Sequence, residues 1–219
     1  ELTTISGLMS VLPGLISSIA LSSGIWATIF NFVALPATYG LVNKSLDTGS
    51  SSLNDIGSAI SENFVKYVMY FVGTLVVGIV IGLASFILLL ILVLITSILK
   101  GLGIALMVIV LLALLVAAIV FSVLISMWLS AMIVDNLDVV AAAKKSIEVV
   151  KGCFWTVLGI TLLVSVAAGI AGSILGLLKI IPLLGPIIYS AVPTAQSFVM
   201  IVFLLTLYRE RTGRVNAAI

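Results

Sequence analysis

The sequence predicts an all-α fold, a polytopic bundle of transmembrane helices. Two observations predict it. Residues 67–99 carry no charged side chain, and after Lys100 none follows until Asp135. A bilayer core about 30 Å thick takes roughly 20 apolar residues of helix, so each run is long enough to cross it. The composition agrees: 63% of residues are hydrophobic and 8% are charged, whereas a soluble domain carries about 25% charged residues. Mean hydropathy is +1.43. A segment inside lipid must satisfy every backbone amide internally, and that makes the spans helical.

Charge-free runs divide the chain at 2–43, 67–99, 101–134, 152–178 and 180–208. The first is long enough for two spans, broken near Ser22-Ser23-Gly24. Its first half holds Pro13, Gly14 and several serines, which makes residues 5–20 either a span or a re-entrant segment. Each of the other four runs reads as one helix. About six spans result, in a single transmembrane domain over 1–219. Gly101-Leu102-Gly103 and Pro182-Leu183-Leu184-Gly185-Pro186 supply turns on the outer side.

The inner connections read as cytoplasmic amphipathic helices lying at the membrane interface. In 53–66, Leu53, Ile56, Ile60 and Phe64 recur at helical spacing among polar residues. In 137–151, Asp138, Lys144, Lys145, Glu148 and Lys151 share one side of a helical wheel. Val139, Val140, Ala143, Ile147 and Val150 take the other, with Leu137 and Val149 out of pattern. Ser52-x-x-Asp55 and Asp135-x-x-Asp138 supply N-cap signals. Gly152 gives room for a bend before a span that starts near Phe154.

Orientation follows from the basic residues. Lys44, Lys66, Lys144, Lys145, Lys151, Arg209, Arg211 and Arg214 fall on one side of a six-span layout, and only Lys100 and Lys179 on the other. Positive charge marks the cytoplasmic side. Both termini are therefore expected in the cytoplasm, with the chain in the inner or plasma membrane. A chain starting at Glu1 rather than Met is expected to continue upstream or to have been processed. No basic stretch with a short apolar core and a cleavage site marks a signal peptide.

The two amphipathic segments suggest an internal repeat, with units near 53–134 and 137–208. Each copy reads as cap, amphipathic helix, lysine, aromatic (Tyr70 or Trp155), glycine, span. The stretch Ala142-Ala143-Lys144-Lys145-Ser146-Ile147-Glu148-Val149-Val150-Lys151-Gly152-Cys153-Phe154-Trp155, followed by Gly159, resembles a motif of the six-helix prokaryotic membrane family of YciC-like proteins. That family includes the membrane domain beside some glycerophosphodiester phosphodiesterases. Ile147 stands where an aromatic is frequent, and Cys153 where Asn is. The resemblance implies a six-helix fold more than an activity, and the phosphodiesterase domain itself has no counterpart here.

Chemistry is limited by what the chain lacks. It has no histidine, which excludes HExxH metalloproteases and Ser-His hydrolases. All its acids lie outside the charge-free runs, which argues against a carboxylate proton relay at mid-membrane. No glycine loop ends in Gly-Lys-Ser/Thr. Cys153 has no base partner in sequence and reads as a small apolar filler. Gly78/Gly82 and Gly172/Gly176 read as close-packing pairs within the chain. Lys144, Lys145 and Lys151 form a solvated face that also fixes topology, and they are candidate contacts for lipid headgroups. Trp128, Trp155 and Tyr208 read as interfacial anchors. The function expected is non-catalytic: a membrane scaffold, an accessory subunit or a lipid-interacting module. The alternative is a transporter or permease for an apolar or zwitterionic solute, working with serines and broken helices. The partners expected are membrane lipids and other membrane-protein subunits, with no nucleic acid, no cofactor and no metal.

Overall fold

The computed structural model describes residues 30–177 and 184–214. The segment 5–20 and the break at Ser22–Gly24 lie outside them. All regular structure among the described residues is helical. Helix α1 is described over residues 30–48. Gly49 ends it in the left-handed conformation (φ 75°), its N–H closing on Ser45 O at 2.9 Å. A residue with a Cβ would resist that turn.

Ser52 then caps the next helix. Its Oγ accepts from Asn54 N at 3.1 Å, and Asp55 Oδ2 accepts from Ser52 N at 2.9 Å. After a single 3-10 turn at Leu53–Asp55, α2 runs unbroken from Ile56 to Ile98, 43 residues. That is about 65 Å, twice a bilayer core. So 53–66 is not a separate interfacial helix; it is the extension of the span beyond its apolar part. Residues 58–72 contain no glycine or proline, and nothing interrupts the backbone ladder there.

The chain reverses at Leu99, and α3 covers Lys100–Leu124. Gly101 and Gly103 are inside α3 rather than forming the turn. A Cβ on Gly103 would lie 2.4 Å from Thr96 Cα, so this glycine lets two backbones approach.

The run 101–134 is two helices, not one. It breaks at 125–127, and α4 spans Trp128–Val134. Six of its seven residues are buried. Helix α5 covers Val139–Lys151 and is capped by Asp138, whose Oδ1 accepts from Ala141 N at 2.7 Å. Asp135 is not the cap. Asn136 takes φ 53° between them, a conformation Asn tolerates better than most residues. The chain bends at Gly152–Cys153, and α6 runs Phe154–Gly176. Helix α7 runs Leu184–Arg211 with Pro193 inside it, so Gly185 and Pro186 belong to its first turn.

Four helical stretches are long and apolar enough to cross a membrane: Leu53–Ile98, Lys100–Val134, Phe154–Gly176 and Ile188–Arg211. They pair as hairpins, α2 with α3 and α6 with α7. Gly172 and Gly176 face α7 at Val192 and Tyr189, but Gly78 and Gly82 meet nothing within 4 Å among the described residues. The buried core does not run along the spans. It gathers around α4, at the end of the bundle where α1, α4, α5 and the C-terminal part of α7 meet. Elsewhere the apolar side chains point outward, as lipid-facing surfaces do.

Candidate functional site

Most of the described charges collect at that same end, and two latches organise them. Arg209, 6% exposed at the foot of α7, donates to Asn43 Oδ1 at 2.9 Å and Asn43 O at 3.3 Å, and pairs with Asp47. This ties α7 to α1. Asp135 holds the second latch. Its Oδ2 accepts from the Tyr208 hydroxyl at 2.5 Å, and its Oδ1 lies 2.8 Å from Arg214 Nε. Arg214 also donates to Val134 O at 3.3 Å. The guanidinium fork suits both tasks, because it meets several acceptors in one plane.

The break in 101–134 has its own tie. Ser146 on α5 donates to Leu124 O at 2.8 Å and accepts from Met127 N at 3.2 Å. One buried hydroxyl thus serves a carbonyl and an amide that the interrupted ladder leaves over. Trp128 Nε1 donates to Val139 O at 2.7 Å and the ring stands edge-on to Tyr70. These contacts set α5 against α4.

Beside the first latch lies a polar cleft of about 360 Å³ between α1 and α2. Gly40, Ala59 and Asn63 close its floor: a Cβ on Gly40 would stand 2.7 Å from both Ala59 Cβ and Asn63 Nδ2. Asn63 is buried and donates to Ala59 O at 2.9 Å. Lys44 and Asp55 pair across the cleft at 2.7 Å. Asp47, Glu62 and Lys66 complete its charged lining.

Lys144 and Lys151 are exposed, and Lys145 pairs with Glu148 at 3.2 Å. The three lysines therefore share an outward face, as their spacing implies. The opposite face, Ala142, Ser146 and Val150, is fully buried against protein. Of the three residues read as anchors, only Trp155 is on the surface, 79% exposed. Trp128 (3%) and Tyr208 (0%) are inside the core, each with its polar atom bonded internally. An aromatic with an internal partner for its N–H or O–H gains more by packing than by facing lipid headgroups.

Burial pushes the Cys153 thiol up from its ordinary value, and Arg211 and Glu210 act on it more weakly and in opposite directions. The thiolate is disfavoured and the residue is a filler in the core. Among the described residues no group of three His, Cys, Asp or Glu stands ready for a metal ion.

The spacing did not point to Arg209 as a buried centre, nor to the cleft. The signals were present: Asn43 and Asp47 lie four apart, as do Asp55 with Ala59 and Glu62 with Lys66. Which helix they would meet depends on α1 lying antiparallel to α2, which Phe32 shows by stacking edge-on to Tyr67 and Phe71.

A family model described as a domain of unknown function, DUF7847, matches residues 2–210. No curated protein and no solved structure matches the chain.

Proposed function

The chain belongs to the DUF7847 family, and we propose that it works without catalysis, as a membrane scaffold or accessory subunit that makes selective contact with lipid. In this reading it has about six spans, cytoplasmic termini and an inner or plasma membrane location. The observation that carries the reading is the use made of the charged groups. Arg209, Arg214, Asp135, Asp47, Lys44 and Asp55 are spent on joining helices to one another. A reaction centre would instead hold several acids and bases free and converging on a reacting atom, whereas among the described residues of the cleft between α1 and α2 only Glu62 and Lys66 stand outside these ion pairs. The likeness of 142–155 to the YciC-like family supports the reading too, since it is a likeness of fold rather than of activity.

Reconstituted chain tests it. No hydrolysis of peptide, lipid or phosphodiester above background is expected. Turnover abolished by one substitution in the chain would refute the reading.

A transporter is the second reading, and one observation favours it. A cavity of about 540 Å³ between α6 and α7 is lined by Ser165, Ser173, Tyr189 and Gln196 beside Pro193. Gln196 Nε2 reaches Ser165 Oγ at 3.4 Å. Polar groups at that depth are costly and mark solute paths in many membrane proteins. Solute flux into sealed vesicles that fails in Gln196→Leu would support this reading over the first.

A further inference from the structure

We propose that the cleft between α1 and α2 binds the headgroup of a membrane lipid carrying a phosphate and a primary amine, as phosphatidylethanolamine does. Lys66 takes the phosphate and Glu62 the amine. The proposal rests on the lipid-contact reading above and gives it a site and a ligand class.

The charges of the cleft decide the chemistry. Lys44 is neutralised by Asp55, and Asp47 by Arg209. Glu62 and Lys66 remain, and neither forms a hydrogen bond or an ion pair with another described residue. They lie four residues apart on one face of α2. An anion and a cation one turn apart, not in contact with each other, suit a zwitterion better than a simple cation or a simple anion. Lys66 is half-buried, with Glu62 acting on it from one turn away but not in ion-pair contact, and a partly desolvated ammonium gains from an anion placed directly against it.

The depth of the cleft decides the source. Charge-free sequence begins at Tyr67 and runs longer than a bilayer core is thick, so Lys66 stands at or outside the hydrocarbon edge, at headgroup level. Residues 56–66 rise about 16 Å above it, which covers the headgroup layer and the water beyond. A lipid whose acyl chains lie along the apolar flank of α2 brings its phosphate to Lys66 and its amine one turn further out, to Glu62. The volume, about 360 Å³, is in the range of small-ligand sites.

The lining decides between amines. Among the described residues no aromatic ring borders the cleft, and a quaternary ammonium is held by aromatic faces. Carboxylates and the hydroxyl of Ser58 suit an amine that donates hydrogen bonds.

The test uses the 219-residue chain purified in detergent. It is offered equal amounts of phosphatidylethanolamine, phosphatidylcholine and phosphatidylglycerol, and the retained lipid is counted by native mass spectrometry. Phosphatidylethanolamine is expected to exceed each of the others about tenfold, the effect of one or two charge-assisted hydrogen bonds. In Glu62→Gln/Lys66→Gln the three lipids should be retained equally, while Lys144→Glu/Lys145→Glu on α5 keeps the preference. Should the double variant misfold, Glu62→Gln alone, at an exposed position, is expected to erase the advantage over phosphatidylcholine. Equal retention by the unaltered chain, first place for phosphatidylglycerol, or a preference that survives in a folded variant overturns the assignment. Soluble phosphoethanolamine binding as tightly as the lipid would move the ligand from the membrane to the aqueous phase and overturn it equally. Unselective lipid retention by an inert protein removes only this site. Turnover or solute flux removes the broader reading whichever lipid is retained.

Discussion

Single residues separate what a polar group does from where it sits. Ser146 and Ser126 are both near the interruption at 125–127. Ser146 Oγ has two backbone partners there, Leu124 O and Met127 N. Ser126 Oγ is buried with no partner among the described residues. Ser146→Ala leaves a carbonyl and an amide unsatisfied and is expected to cost about 2–3 kcal/mol. Ser126→Ala removes a hydroxyl that bonds nothing and should stay within about 0.5 kcal/mol of the unaltered protein. Denaturant unfolding in mixed micelles measures both. Equal losses would mean that Ser146 acts only through its volume. The same separation applies to the aromatics. Sequence reading places Trp128, Trp155 and Tyr208 together at the interface, because position along the chain and ring type are all it has. The structure puts two of them in the core, since Val139 O and Asp135 offer their polar atoms internal partners. Partners 11 and 73 residues away leave no local mark in a sequence.

At the scale of elements, helix ends were legible where the chemistry is local, and illegible where it is not. The capping box at Ser52, the end of α5 at Lys151 and the start of α6 at Phe154 follow from nearby residues. The break between α3 and α4 does not. Residues 120–132 contain no glycine or proline, and the partner that stabilises the break comes from α5. Continuity of α2 was missed for the converse reason: amphipathic patterning in 53–66 describes a face, not an end. Close approach is similarly non-local. Gly103→Ala should drive a methyl to 2.4 Å from Thr96 Cα. Two backbones must part, so the α2–α3 hairpin should lose stability by about 1–3 kcal/mol. Gly101→Ala, with nothing within 4 Å among the described residues, is the control and should gain slightly through helix propensity. Arg209→Ala detaches α7 from α1 and strands Asn43 and Asp47. The expected loss is about 2–3 kcal/mol, at the low side for a buried pair because Asp47 is half-exposed. Arg209→Lys should recover only part of it, since one ammonium cannot reach Asn43 and Asp47 in the same plane.

For the whole molecule, the membrane class was the most legible property, because charge-free length is a direct physical requirement of a bilayer. The location of the core was the least legible. In water, apolar residues would be drawn inward along every helix; in lipid that drive vanishes between spans. Packing then concentrates around α4, and the charged latches hold that end together. The same arrangement sets up a test of orientation. Ser50 lies exposed between α1 and α2, on the end rich in basic residues. Positive charge is retained in the cytoplasm, so Ser50→Cys should face inward. Cys153, the one native thiol, is buried to 5% exposure and its thiolate is disfavoured. It should stay silent in the folded protein, leaving residue 50 as the sole reporter. An impermeant maleimide is expected to leave intact cells unlabelled and to label Ser50→Cys once the inner face of the membrane is opened. The unaltered chain should remain unlabelled in both conditions until it is denatured. Labelling of Ser50→Cys from outside intact cells would invert the orientation. The lipid cleft between α1 and α2 would then face the opposite leaflet, although its charges and its ligand chemistry would stand unchanged.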